Sequence, residues 1–173
     1  MTYRCHILAA ILKKKLKEVI IMDHQITLKQ YASQPILSIR KTTSISKLSE
    51  EIGKSYGLIA MYLQEIGEQP VGAPFTAYHN LDMENLDVEM GFPVSRPIEG
   101  RGEIKTGNIP EGKYAEGMYK GPYSEISSAY DAINAWMAEK GLTPAGISYE
   151  YYLNTPGEVP ESELLTKIVF PVK

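Results

Sequence analysis

The chain has 173 residues, of which 43% are apolar and 23% charged, and a formal net charge of −3. That is enough for one domain with a real core, and no apolar run approaches the roughly 20 residues that span a bilayer. A single cysteine excludes an intrachain disulfide, and Cys5, His6, His24 and His79 have no zinc-ligand spacing, so neither a metal nor any other cofactor is expected.

Residues 1–21 make a poor signal peptide, because the apolar stretch Ile7 to Leu12 is short and the lysines follow it. The segment is consistent with an amphipathic surface helix. It also fits a non-native or disordered extension: Lys17-Glu18-Val19 can be encoded by a ribosome-binding sequence, suitably spaced for initiation at Met22. We expect residues 22–173 to form the single folded domain and the protein to be cytoplasmic. Setting residues 1–21 aside leaves a formal net charge of −7, which repels nucleic acid phosphates and weakly attracts cations.

Alternation predicts strands at Gln25 to Tyr31 and Ile36 to Thr42. Ser44 or Ser46 caps a predicted helix that runs to about Ile66, with Ile45, Leu48, Ile52, Tyr56, Ile59 and Leu63 as its apolar stripe. Gly67 ends it. Phe75 to Tyr78 and Leu86 to Val94 read as an antiparallel pair. Asp87 and Glu89 on the second of these read as an acidic edge that discourages strand pairing. A polar connection containing Gly100, Gly102 and Gly107 follows. Tyr114 to Tyr119 is the next strand, and Gly121-Pro122 turns into a helix with Ile126, Tyr130, Ile133 and Met137 on one face. Gly141 ends that helix, and Ile147 to Leu153 pairs with Leu164 to Val172.

This order is a repeat. A shift of 74 lays Tyr56 on Tyr130, Ile59 on Ile133, Tyr62 on Trp136, Gly67 on Gly141, and Tyr78 on Tyr152. The closing TKIVFPV echoes VEMGFPV at a shift of 78. Each half is strand, helix, strand, strand (an SHS2 unit). The expected fold is α+β: two duplicated units in one antiparallel sheet, both helices on one face, with a groove between them.

The repeat is broken at one informative position. Where the first copy has Thr76, the second has Glu150, flanked by Tyr149, Tyr151 and Tyr152. Two placements are open to Glu150 on the residues alone. It can face the groove among aromatic rings, or lie on the outer sheet face, solvated or paired with Lys167 or Lys120. In the groove, desolvation would raise its pKa above about 4.3 and a cationic ligand would lower it again. Tyr78, Tyr119, Trp136 and Tyr152 are candidate wall residues, since an aromatic set with one carboxylate suits a planar cation. Tyr56 and Tyr130 lie on the helix stripes, where core packing is their default role.

The segments GAPFTAYHN, VEMGFPV, IPEGKYAEGMYKGPYSEISSAYDAINAWM, ISYEYYLNTP and ELLTKIVFPV together resemble the GyrI-like small-molecule-binding family. That bacterial family is also met as the effector-binding domain of multidrug-sensing transcription activators. The resemblance covers essentially Met22 to Lys173. It implies a groove for flat, hydrophobic, often cationic compounds, with a functional glutamate that aligns with Glu150. Some standalone members are hydrolases of DNA-alkylating cyclopropane natural products, which would make Glu150 a general base. Others are thought to bind gyrase. The chain has no room for a helix-turn-helix, so no direct nucleic acid binding is expected, and no membrane association. A standalone binder of hydrophobic xenobiotics, with a role in resistance, is the expected function.

Overall fold

The computed structural model describes residues 26–173. The reading of residues 1–21 therefore lies outside the described residues. The chain forms β1 (Thr27–Tyr31), β2 (Gln34–Thr43), α1 (Ile45–Glu65), β3 (Phe75–Tyr78), β4 (Leu86–Pro93), β5 (Lys105–Ile109), β6 (Gly112–Lys120), α2 (Ser127–Glu139), β7 (Ser148–Tyr152) and β8 (Leu165–Pro171). All eight strands join one antiparallel sheet in the order β1-β6-β8-β7-β3-β4-β2-β5.

The two expected units are present as β2-α1-β3-β4 and β6-α2-β7-β8, joined edge to edge where β3 pairs with β7. Residues directly opposite one another across a sheet share a face. One such row runs Gly117, Ile168, Glu150, Thr76, Met90, Ile39. Ile168 packs in a cluster with Ile133 and Met137 of α2, while Ile39 packs with Ile59 and Leu63 of α1. Both helices therefore cover the same face of the sheet. At Gly117 a side chain would meet Ile133 at 2.9 Å, so the missing Cβ lets α2 sit close.

The helices end alike. Gly67 and Gly141 take positive φ of 73° and 66°. The amides of Glu68 and Leu142 bond back to Leu63 and Met137, each at 2.9 Å, closing the same C-terminal motif twice.

Two features differ from the sequence reading. The polar connection contains a strand, β5, which pairs with β2. Its counterpart, β1, pairs with β6 of the other unit. Each unit is thus preceded by a strand that crosses to the far half, so the repeats are interlocked. Asp87 and Glu89 are not an acidic edge, because β4 lies between β3 and β2. Asp87 accepts two bonds from Arg40, at 2.8 and 2.6 Å. Glu89 accepts from Ser38 at 2.5 Å and lies 3.2 Å from His79.

Among the described residues, no helix is long and apolar enough to cross a membrane, and no group of three or more His, Cys, Asp or Glu could hold a metal ion.

Candidate functional site

The row that runs under both helices has Thr76 and Glu150 side by side at its centre. Each is met by a tyrosine from its own unit's helix. The Tyr56 hydroxyl of α1 lies 3.1 Å from Thr76 Oγ1, and the Tyr130 hydroxyl of α2 donates to Glu150 Oε1 at 2.7 Å. Tyr56 and Tyr130 are repeat equivalents, as are Thr76 and Glu150. The duplicated geometry has placed one carboxylate, rather than two or none, between the helices.

Glu150 is 6% exposed. Its second oxygen accepts from the Tyr152 hydroxyl at 2.9 Å. The Tyr78 hydroxyl approaches both groups and adds a smaller pull. Burial dominates and pushes the Glu150 carboxyl above its ordinary range, while the three tyrosines hold it down in part. The tyrosines are themselves pushed upward by burial and by the Glu150 charge, so they stay protonated as donors. Tyr123 closes one side, its ring edge-on to Tyr152 at 5.5 Å.

Glu150 thus lies on the helix face and not on the outer face. Lys120 pairs with Glu163, and Lys167 lies on the opposite face of the sheet from Glu150. Among the described residues, Glu150 makes no ion pair and all its hydrogen-bond partners are tyrosines. A buried carboxylate with neutral donors alone is incompletely compensated. Next to this row, Thr166 Oγ1 is buried without a hydrogen-bond partner, with Tyr119 and Tyr152 as its neighbours in register.

The fold brings together Glu150, Tyr78 and Tyr152 of the expected set. Tyr119 and Trp136 belong to the packed cluster under α2. Tyr119 donates its hydroxyl to the Pro122 carbonyl at 2.9 Å. Tyr62, the repeat equivalent of Trp136, donates to the Glu99 carbonyl at 2.8 Å within the α1 core. Tyr56, Tyr130 and Tyr123 were not expected in the site. The available signal was the hydroxyl: both helix stripes carry tyrosine at the same repeat position, where phenylalanine would pack as well.

A family model described as the GyrI-like small molecule binding domain matches residues 24–173. A cryo-EM structure of an EcmrR–DNA complex superposes with a TM-score of 0.76 at 22% identity, over 98% of this chain and 69% of that chain. A crystal structure of a hydrolase from Listeria innocua gives 0.65 at 15% identity, over 93% and 98% of the two chains. SAV2435, solved bound to tetraphenylphosphonium, gives 0.63 at 11% identity, over 86% and 94%. At these identities the likeness is one of fold. No functionally curated protein matches the sequence.

Proposed function

The chain belongs to the GyrI-like small molecule binding domain family, and from that premise we propose that it binds hydrophobic cations that carry planar aromatic rings in the groove between α1 and α2. Glu150 supplies the counter-charge. Tyr78 and Tyr152, with Tyr56, Tyr130 and Tyr123, supply the aromatic walls. One observation carries the reading: a buried carboxylate whose described partners are all neutral hydroxyls. A cation delivered from solvent completes the pairing that the protein itself leaves open, and its rings replace water against the tyrosines. The tetraphenylphosphonium complex of a protein with this fold is in keeping with that chemistry. The protein acts in the cytoplasm as a binder of hydrophobic xenobiotics.

Calorimetric titration of wild type and Glu150→Gln tests this, with tetraphenylphosphonium and a neutral triphenyl compound as the two ligands. The amide keeps the shape and loses the charge. Cation affinity should fall about tenfold to a hundredfold, on the order of 1 to 3 kcal/mol, with neutral affinity nearly unchanged. Equal cation affinities in the two proteins would remove Glu150 from the site.

A second reading, hydrolysis of a strained cyclopropane compound, draws on the upward-shifted Glu150 carboxyl, which is better matched to proton transfer near neutrality. Against it, both carboxylate oxygens already accept tyrosine hydroxyls. Under this reading Glu150→Gln abolishes turnover and leaves substrate binding intact.

A further inference from the structure

The sheet face opposite the helices carries an amine that the groove does not use. Lys167 lies there, half-buried, opposite Met118 and Tyr151 in the ladder. Its Nζ is 4.5 Å from the centre of the Tyr151 ring and 5.7 Å from that of Tyr31. Glu116, on the same face, is already engaged. Lys29 holds one of its oxygens and the Tyr31 hydroxyl the other. Among the described residues, no carboxylate lies within ion-pairing distance of Lys167.

The repeat sharpens the contrast. A shift of 78 lays Lys167 on Glu89, and a shift of 74 lays Tyr151 on Ala77. In the first copy Glu89 faces Ala77 across the ladder and is held by Ser38 and His79. In the second copy a tyrosine ring takes the place of the small residue, and the amine rests on it without those polar partners. Burial lowers the Lys167 amine below the ordinary lysine range; the Glu116 charge opposes this and the Lys29 charge assists it. Burial likewise holds the hydroxyls of Tyr31 and Tyr151 protonated. Hydrogen bonds from Lys29 and Tyr31 outweigh burial at Glu116, which stays ionised.

We propose that Lys167 is a capture site for planar aromatic aldehydes, whose ring stacks against Tyr31 and Tyr151 while the amine takes the carbonyl carbon. The Nζ lone pair forms the new N–C bond, and the carbonyl π pair moves to oxygen. A proton passes from nitrogen to that oxygen. Loss of water then leaves the imine, with no net oxidation or reduction. This site is independent of the groove, from which the sheet separates it.

The test treats the full chain with a limiting amount of a naphthaldehyde and sodium cyanoborohydride, whose hydride reduces the imine to a stable secondary amine. Peptide mass mapping then gives the rate at each lysine. Lys167 should be labelled severalfold faster than the exposed Lys47 and Lys113, because the Tyr31 and Tyr151 rings hold the aldehyde against its amine. Labelling that simply follows exposure, with Lys167 no faster than those two, overturns the proposal. Tyr151→Leu keeps an apolar side chain and removes the π face. It should slow Lys167 by about threefold to tenfold while the other lysines are unaffected. An unchanged rate at Lys167 in that variant overturns the role given to the ring.

Discussion

Glu150 is folded into a place where its neutral form is favoured, which fixes the sign of its effect on stability. The native state holds the Glu150 proton more tightly than the unfolded chain does. The stability this confers is complete below the unfolded value of about 4.3 and is lost as pH rises through the raised folded value. Glu150→Gln mimics the neutral form. Its melting temperature should match wild type near about pH 4 and exceed it near about pH 8, as thermal scans across pH would show. Under the proposed function ligand binding runs the other way, since a cation needs the carboxylate. Tetraphenylphosphonium affinity should climb as pH rises through the same window and then level off. Tyr130→Phe deletes the 2.7 Å bond that stabilises the charged form. That variant should bind the cation about tenfold more weakly near neutrality, with the pH midpoint displaced upward in the same titrations. The carboxylate was legible in the sequence because it broke a repeat. Its partner on α2, Tyr130, was not, because a stripe position tells which side of a helix is buried and not where a long side chain ends.

The elements most legible were those with strong local signals. Helix stripes spaced by three and four, closed by Gly67 and Gly141, placed α1 and the C-terminal end of α2 to within about two residues. Alanine at Gly141 must adopt a left-handed φ of 66°. It should cost about 1 kcal/mol, seen as a fall of roughly 2 to 4 °C in melting temperature. Ile133 is fully buried between α2 and the sheet. Ile133→Ala should cost about 2 to 5 kcal/mol in a denaturant melt, through the cavity it leaves. Strand β5 escaped notice for a physical reason. Its sequence, KTGNI, is mostly exposed at a sheet edge, so it carries no alternation, and Gly107 sits in its middle. What makes it a strand is the free edge of β2, a partner some 70 residues away in sequence.

At the scale of the molecule, β1 and β5 decide that the two units fold as one. A cut in the connection before β5 would give one piece holding β1 to β4 with α1 and another holding the rest. Each piece would lose a strand from its sheet and the β3–β7 seam as well. Neither piece alone should melt cooperatively by circular dichroism, and mixing the two should restore a single transition. The seam has a further consequence. In the β3–β7 ladder Phe75 faces Tyr151, Thr76 faces Glu150, and Ala77 faces Tyr149, so positions related by the repeat meet across an approximate twofold axis at Thr76 and Glu150. A homodimer built from one unit would place the same residue on both sides of that axis. Two threonines would bring no charge. Two buried carboxylates in register would repel, and one would have to take up a proton. A tandem of two unlike copies sets a single negative charge beside that axis, which under the proposed function gives a monovalent cation one matching partner.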